Sequence, residues 1–245
     1  MGSHLLDSVY RIQISRFVSD RLVKLHTVPD LVERVYRALL DAISDGSLAP
    51  GVRLTQEDLA ERLDVSRQPV LQALRLLKKD GLVLDAPGRG LLVAPLDAGW
   101  IAQVYEVRGA LDALAARLAA GRRSVLDPAL IERGRQAAAG SDIQAMIEAD
   151  IAFHAAIYAA SGNPLIAQSA QLHWVHLRRV MGAVLQSSRQ REPIWDEHAA
   201  IAAAIAAGDA DKAARLIQLH SRGASEHLVA RLVHVLEPTS AKGIR

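Results

Sequence analysis

Between residues 30 and 96, apolar residues recur at helical spacing in three short runs. "DLVERVYRALLDAISDG" carries one apolar stripe and stops at "GSLAPG", whose glycines and proline end helices. "TQEDLAERLD" has Thr55 in the N-cap position, and "SRQPVLQALRLLKKDG" begins with Ser66 as cap and Pro69 in its first turn. "LVLDAPGRGLLVAPL" then predicts two strands around a tight turn. Three helices and a β-hairpin predict a winged helix-turn-helix over residues 30–96.

From residue 97 onward the pattern is helical throughout. The periodicity and the turn signals predict helices near residues 98–120, 127–139, 142–161, 164–187, 192–207 and 209–236. The predicted fold class is therefore mainly α, with the winged helix-turn-helix and its small β-hairpin wing followed by an all-α helical bundle at 97–237. Residues 1–29 begin with the tag-like "MGSH" and continue as an amphipathic extension, and residues 238–245 form a polar tail.

Composition narrows the classes of protein. A chain of 245 residues, half of them apolar, is long enough for two domains with separate cores. No apolar run is long enough to span a membrane and no signal segment is evident, so we expect a cytoplasmic protein without a membrane partner. The absence of cysteine excludes disulfides and thiolate metal sites. A metal ion would have to be held by histidine nitrogen and carboxylate oxygen.

The net charge of +2 is too small to indicate nucleic acid, but its local distribution is informative. Five basic residues and one acid lie between positions 62 and 79, across the predicted second and third helices. Most such runs are solvated helix faces. In a winged helix-turn-helix, however, the third helix enters the major groove by its N-terminal end and the wing lies along the backbone or minor groove. The predicted contacts to a double-stranded DNA operator are Arg62, Ser66, Arg67, Gln68, Arg75, Arg89 and Gly90.

These residues have different expected roles. Arg67 has the geometry to fork onto guanine and Gln68 to bond adenine, whereas Arg62 and Arg75 would at most reach phosphates. Ser66 has a competing role as a helix cap. One such domain offers few base contacts, so we expect a homodimer that binds an inverted repeat.

The run "LDAISDGSLAPGVRLTQEDLAERLDVSRQPVLQALRLLKKDGLV", followed by "PGRGLLVAPL", resembles the DNA-binding domain of the GntR family of bacterial transcription regulators. The chain departs from the family pattern at Gln68, where threonine is usual, and at Leu71 and Gln72, where arginine and glutamate are usual. A basic residue that commonly contacts DNA is thus missing at Leu71.

The second half is similar to the effector-binding domain of the FCD branch of that family. "VYEVRGALD", "DIAFHAAIYAASGNPLI", "DEHAAIAAAIAAGDADKA" and a later histidine follow its pattern in order. The resemblance implies a small-molecule cavity among the helices and a divalent metal ion, zinc, nickel or manganese, on one aspartate and three histidines. It also implies that Arg108 faces the carboxylate of an effector. The implied metal ligands are Asp150, His154, His198 and His220.

The residues alone leave simpler explanations open. Asp150 and His154 stand four apart on one helix face, which by itself favours a local hydrogen bond between them. Arg108 stands four residues before Asp112, so a surface position or an ion pair within the helix is equally expected. His173 faces inward as a satisfied core histidine.

The expected function is a ligand-responsive transcription regulator, in particular a repressor that senses a small organic acid or sugar acid. A metal-dependent, hydrolase-like enzyme with a DNA-binding appendage and an architectural DNA-binding protein are the alternatives. The chain lacks His-Glu-x-x-His, Gly-x-Ser-x-Gly, phosphate-loop and dinucleotide motifs, so we do not expect an enzyme.

Overall fold

The computed structural model describes residues 31–185 and 193–236. The predicted extension at 1–29 and the predicted tail at 238–245 lie outside these ranges. Three helices and three strands form the N-terminal part: α1 (Leu31–Ser44), β1 (Arg53–Leu54), α2 (Gln56–Arg62), α3 (Arg67–Lys79), β2 (Val83–Asp85) and β3 (Leu91–Val93). The predicted winged helix-turn-helix is confirmed.

Capping differs between α2 and α3. Thr55 caps α2 as predicted, because its hydroxyl accepts a hydrogen bond from the backbone N–H of Asp58 at 3.2 Å. Ser66 takes the N-cap position of α3 with an extended backbone, but its side chain makes no capping hydrogen bond. Ser66 is therefore the N-cap residue, as predicted, but its hydroxyl does not satisfy the first turn of α3.

The wing is a three-stranded antiparallel sheet in the order β1-β3-β2. Leu84 of β2 pairs with Leu92 of β3, and the predicted hairpin is thereby confirmed. The strand β1 was not predicted, because a two-residue strand is too short to carry an alternating pattern. The guanidinium of Arg53 in β1 donates to the backbone carbonyls of Pro87 and Arg89, and so braces the turn at the tip of the wing.

The second half is entirely helical within the described ranges. It contains α4 (Ala98–Gly121), α5 (Ala129–Ala139), α6 (Ile143–Ser161), α7 (Pro164–Leu185), α8 (Pro193–Ala207) and α9 (Ala210–Leu236). All six predicted helices are confirmed. The central pair is α4 and α9, which pack along one another, and α6, α7 and α8 surround α4. None of the described helices is long and apolar enough to cross a lipid bilayer.

Helix α7 also touches the segment that joins β3 to α4. The buried Arg179 guanidinium donates to the backbone carbonyl of Ala94. Three residues earlier, the ring of His176 packs edge-on against Trp100, at 5.9 Å between centroids. One helix of the bundle is thus attached directly to the end of the DNA-binding domain.

Candidate metal centre, effector cavity and DNA-binding face

Three helices bring one aspartate and three histidines together inside the bundle. Helix α6 supplies Asp150 and His154, α8 supplies His198 and α9 supplies His220. Each residue offers a ligand atom within 4.8 Å of the others. Nε2 of His198 lies 3.2 Å from Nε2 of His220 and 3.5 Å from Oδ1 of Asp150. The histidines are buried and the Asp150 side chain is 13% exposed.

A local hydrogen bond between Asp150 and His154 does not form. Neither ring nitrogen of His154 has a hydrogen-bond partner among the described residues. The Asp150 carboxylate instead approaches His198, on another helix. The simple explanation of this four-residue spacing is therefore wrong.

The four residues fit a divalent metal ion. Burial lowers the pKa of His154 and of His198, so both imidazoles are neutral at neutral pH and have a lone pair to donate. Two nitrogens bound to one tetrahedral zinc ion at about 2.0–2.1 Å lie about 3.3 Å apart. The separation of 3.2 Å between the His198 and His220 nitrogens matches that spacing. The unpartnered nitrogens of His154 are costly in a protein interior unless an ion or ligand satisfies them.

Two further carboxylates lie beside the histidines, outside the cluster. One is hydrogen-bonded to His220, and the other approaches His154 from just beyond hydrogen-bond distance. Nδ1 of His220 lies 2.9 Å from Oε2 of Glu197, and this contact with His220 lowers the pKa of Glu197. Nδ1 of His154 lies 3.6 Å from Oδ1 of Asp112. Carboxylates in such positions fix the ring orientation and the tautomer of metal-binding histidines. Neither residue was predicted to act here, because the contacts join residues 23 and 42 positions apart in the chain.

Arg108 is buried in α4, with 2% of its surface exposed. Its Nε lies 3.3 Å from Oδ2 of Asp112, so the ion pair within the helix is present, and the predicted surface alternative is wrong. The guanidinium carbon sits 3.9 Å from the centre of the Trp174 ring. Nε and Nη2 of Arg108 nevertheless have no hydrogen-bond partner in the described part of the chain. Arg108 also lines a cavity.

Asp112 is the shared partner of several buried polar side chains next to Arg108. It accepts hydrogen bonds from the Tyr158 hydroxyl at 2.5 Å and from the Ser221 hydroxyl at 3.1 Å. Burial alone would raise the pKa of Asp112, but Arg108 and His154 hold it well below its usual range. Asp112 is therefore ionised and balances the buried charge of Arg108.

The cavity has a volume of about 380 Å³ and is lined by residues from all six described helices of the bundle, α4 to α9. Arg108, Asp150 and His220 line it, so it reaches the four-residue cluster. Trp195 also lines it, and its ring packs against His198 at 4.6 Å between centroids. His173 is not a member of the cluster, but its Nδ1 has no hydrogen-bond partner among the described residues, so the expectation of a satisfied core histidine is wrong.

The predicted DNA-contacting residues, listed above from Arg62 to Gly90, are all exposed. The opposite face of α3, which carries Val70 and Leu74, is buried in the domain core. Two of the basic residues form surface ion pairs with acidic residues of α2. Arg67 Nη1, at the start of α3, lies 3.0 Å from Glu57 Oε1, and Arg62 Nη1, within α2 itself, lies 3.6 Å from Asp58 Oδ2. Gly90 in the wing has a φ of +95°, a conformation that favours glycine.

Residues 31–93 match the family model described as bacterial regulatory proteins, gntR family, and residues 103–223 match that of the FCD domain. The putative L-lactate dehydrogenase operon regulatory protein of Escherichia coli (strain K12) is 30% identical over 219 residues, which cover 78% of this chain and 82% of that protein. The chain belongs to the GntR family. It is a GntR-family transcription regulator with an FCD effector-binding domain.

Two solved structures have the same architecture as this GntR-family regulator. A putative GntR transcriptional regulator from Rhodococcus sp. RHA1 superposes with a TM-score of 0.68 at 27% identity, over 81% of this chain and 97% of the other. Escherichia coli McbR/YncC superposes with a TM-score of 0.71 at 23% identity, over 84% of this chain and the whole of the other, and shows the shared fold. The matched relatives are regulators of transcription, which agrees with the expectation that the chain is not an enzyme.

Proposed function

We propose that this GntR-family regulator is a homodimeric repressor whose affinity for an inverted-repeat operator changes when a small organic acid or sugar acid binds beside a metal ion. The observation that carries the proposal is the convergence of Asp150, His154, His198 and His220 in one cluster, which reaches a cavity that Arg108 also lines. A bound metal ion and the Arg108 guanidinium both carry positive charge, so the site suits an anionic ligand, in particular one with a carboxylate.

The metal ion would be held by the three imidazoles and the Asp150 carboxylate. This set of nitrogen and oxygen ligands suits zinc, nickel or manganese. When bound, the ion supplies positive charge and an open coordination position that can take an oxygen of the effector. Glu197 and Asp112 support the proposal because each lies against the second ring nitrogen of a proposed ligand, His220 or His154.

Arg108 would recognise the effector's carboxylate directly. A guanidinium binds a carboxylate through two parallel hydrogen bonds, and two of the three nitrogens of Arg108 lack such a partner. Asp112 offsets part of its charge and Trp174 lies against it, so the donors are held in place. This preorganisation reduces the entropy lost when an anion binds.

The proposed binding to DNA rests on the exposed N-terminal end of α3. Ser66, Arg67 and Gln68 lie together at that end, where a recognition helix meets base edges. Arg62 and Arg75, and in the wing Arg89 and Gly90, would contact the sugar-phosphate backbone. Two copies related by two-fold symmetry would read the two halves of an inverted repeat.

Elemental analysis tests the metal centre. Protein purified without a nickel column should contain about one divalent ion per chain, and Asp150→Ala and His198→Ala should lose it. His173→Ala is the matched control, because His173 lies on a neighbouring helix outside the cluster. Adding the native ion at about 100 times its Kd should stabilise the fold by about 2.7 kcal/mol, which raises Tm by about 5–10 °C. Wild-type protein with no bound metal and no thermal shift on adding zinc, nickel or manganese would contradict this part.

Binding titrations with duplex DNA test the proposed binding to an operator. On an operator recovered from a random pool, Arg67→Ala should weaken binding by about 1–3 kcal/mol and relax the base preference. Arg75→Ala is the comparison variant, because losing a phosphate contact should weaken binding to operator and to random duplex alike. A wild-type protein that prefers no sequence over random duplex would refute the regulator's proposed mode of binding.

A further inference from the structure

The cavity is divided into a polar layer and an apolar layer, because the helices that carry the metal-site residues repeat one pattern. Residues four apart on a helix lie on the same face, about 6 Å apart along the axis. Each of the three helices has an apolar cavity-lining residue four positions from a residue of the metal site. The pairs are Met146 and Asp150 on α6, Ile194 and His198 on α8, and Ala224 and His220 on α9.

Further apolar side chains extend the second layer. Leu228 lies one turn beyond Ala224 on α9 and is buried. Helix α7 contributes Met181 and Leu185 to the same cavity. The wall away from the metal site is thus mainly hydrocarbon and thioether, with no hydrogen-bonding group on these side chains.

The polar groups lie at the opposite end or at the rim. Arg108, Asp150 and His220 mark the metal-site end, and Tyr105, whose ring lies 5.6 Å from the Arg108 guanidinium carbon, belongs to the same end. Glu197 and His227 also line the cavity, but Glu197 is engaged with His220 and His227 is exposed to solvent. A ligand whose charged head meets Arg108 therefore has its body against apolar side chains.

We propose that the effector is a monocarboxylic acid with a hydrocarbon body, rather than a hydroxylated sugar acid. This inference rests on the proposed function and names the ligand class of that same site. The carboxylate binds at Arg108 and the metal site, and the body fills the layer formed by Met146, Met181 and Leu228. The hydroxyl groups of a sugar acid would give up hydrogen bonds to water in that layer and find no partner there.

A homologous series of acids gives a quantitative expectation. Each methylene that moves from water into an apolar site gains about fourfold in affinity, the equivalent of about 0.8 kcal/mol. Calorimetry on the full-length, metal-loaded protein with acetate, butanoate, hexanoate and octanoate should show this rise until the cavity is full. Gluconate, which has the chain length of hexanoate but carries five hydroxyl groups, should bind more weakly than hexanoate.

Three variants test whether the apolar layer is responsible. Met181→Gln keeps the side-chain length but adds an amide, so it should flatten the dependence on chain length. Ala224→Leu fills part of the layer, so it should make affinity stop rising at a shorter acid than in wild type. Leu172→Gln, on α7 but at an exposed position outside the cavity, is the matched control and should leave the series unchanged.

The outcomes separate this inference from the proposed function. If the acids bind but affinity does not rise with chain length, or if gluconate binds more tightly than hexanoate, the hydrocarbon-body inference is overturned while the acid-sensing function stands. If neither gluconate nor any acid of the series binds, both are overturned. A rise in wild type that Met181→Gln flattens and Leu172→Gln preserves supports the inference.

Discussion

Replacing Asp112 by alanine is the sharpest test of the polar network under the cavity. Asp112 is fully buried, balances the charge of Arg108 and accepts hydrogen bonds from Tyr158 and Ser221. The truncation would leave the guanidinium inside the bundle without a counter-charge. It would also remove the acceptor for both hydroxyl groups.

The structure sets the expected size of the effect. Removing one partner of a buried ion pair costs about 3–5 kcal/mol, because the other charge stays buried and unpaired. Each lost hydroxyl bond contributes about 1 kcal/mol, so the charge on Arg108 dominates. Asp112→Asn retains one acceptor oxygen and should cost less. In the double variant with Arg108→Ala the orphaned charge is gone, so the two losses should be less than additive, by about 0.5–3 kcal/mol.

Urea unfolding followed by circular dichroism gives the four free energies of this double-mutant cycle. Asp211→Ala removes the partner of Arg117 in an exposed ion pair and is the matched control, which should barely move the unfolding midpoint. The reasoning fails if Asp112→Ala lies within about 1 kcal/mol of wild type. It also fails if the losses of the two single variants simply add.

Three other predictions concern separate parts of the molecule. Glu57→Gln removes the carboxylate that holds Arg67 at 3.0 Å, so DNA binding in anisotropy titrations should tighten by up to about fivefold. Burial lowers the pKa of His176 in the native protein. As the pH falls, the imidazole is therefore protonated in the unfolded chain before it is protonated in the native chain. Stability should therefore fall as pH drops from about 7 to 5, and His176→Gln should reduce that slope in urea unfolding. Gly134→Ala should lower the free energy of unfolding by about 1–3 kcal/mol, because an added Cβ would lie 2.1 Å from the Trp195 ring.

Each of these three predictions has an outcome that would contradict it, and Gly134→Ala also has a matched control. Gly182→Ala, also in a helix, meets no atom within 4 Å of its added Cβ and should stabilise the protein through helix propensity. Equal effects at the two glycines would contradict the packing argument. Unchanged affinity in Glu57→Gln would mean that this carboxylate does not compete with DNA for Arg67. If the free energy of unfolding of His176→Gln falls with pH as steeply as that of wild type, groups other than His176 cause the acid sensitivity.

Most of the fold could be predicted because its signals are local. Apolar residues at helical spacing, and breakers such as Gly46 and Pro50, place the helices to within a few residues. The strand β1 escaped prediction because two residues hold no period, and its pairing with β3 joins distant segments. Ser66 holds the predicted N-cap position without a capping hydrogen bond, because the residue type permits that bond but does not oblige the side chain to form it.

The site was less accessible to prediction from the residues alone. The spacing of Asp150 and His154 is equally compatible with a local bond, and only the packing of α6, α8 and α9 brings His198 and His220 beside them. Family resemblance supplied that information. The burial of Arg108 could not be read from α4, because apolar residues occupy nearly every side of that helix. The contacts of Asp112 with His154 and of Glu197 with His220 were not predicted, because each joins residues on two different helices.

Helix α7 gives this protein a short mechanical path between its two halves. Met181 faces the cavity, and Arg179, two residues earlier on a different side of the same helix, holds the carbonyl of Ala94. A rotation or slide of α7 that accommodates a ligand at Met181 moves Arg179 by a similar amount, since a packed helix shifts as a rigid body. The proposed ligand contact at Met181 and the contact of Arg179 with the DNA-binding domain would then lie less than one helical turn apart on α7. Signal transfer in such a design needs no chain of intermediate side chains.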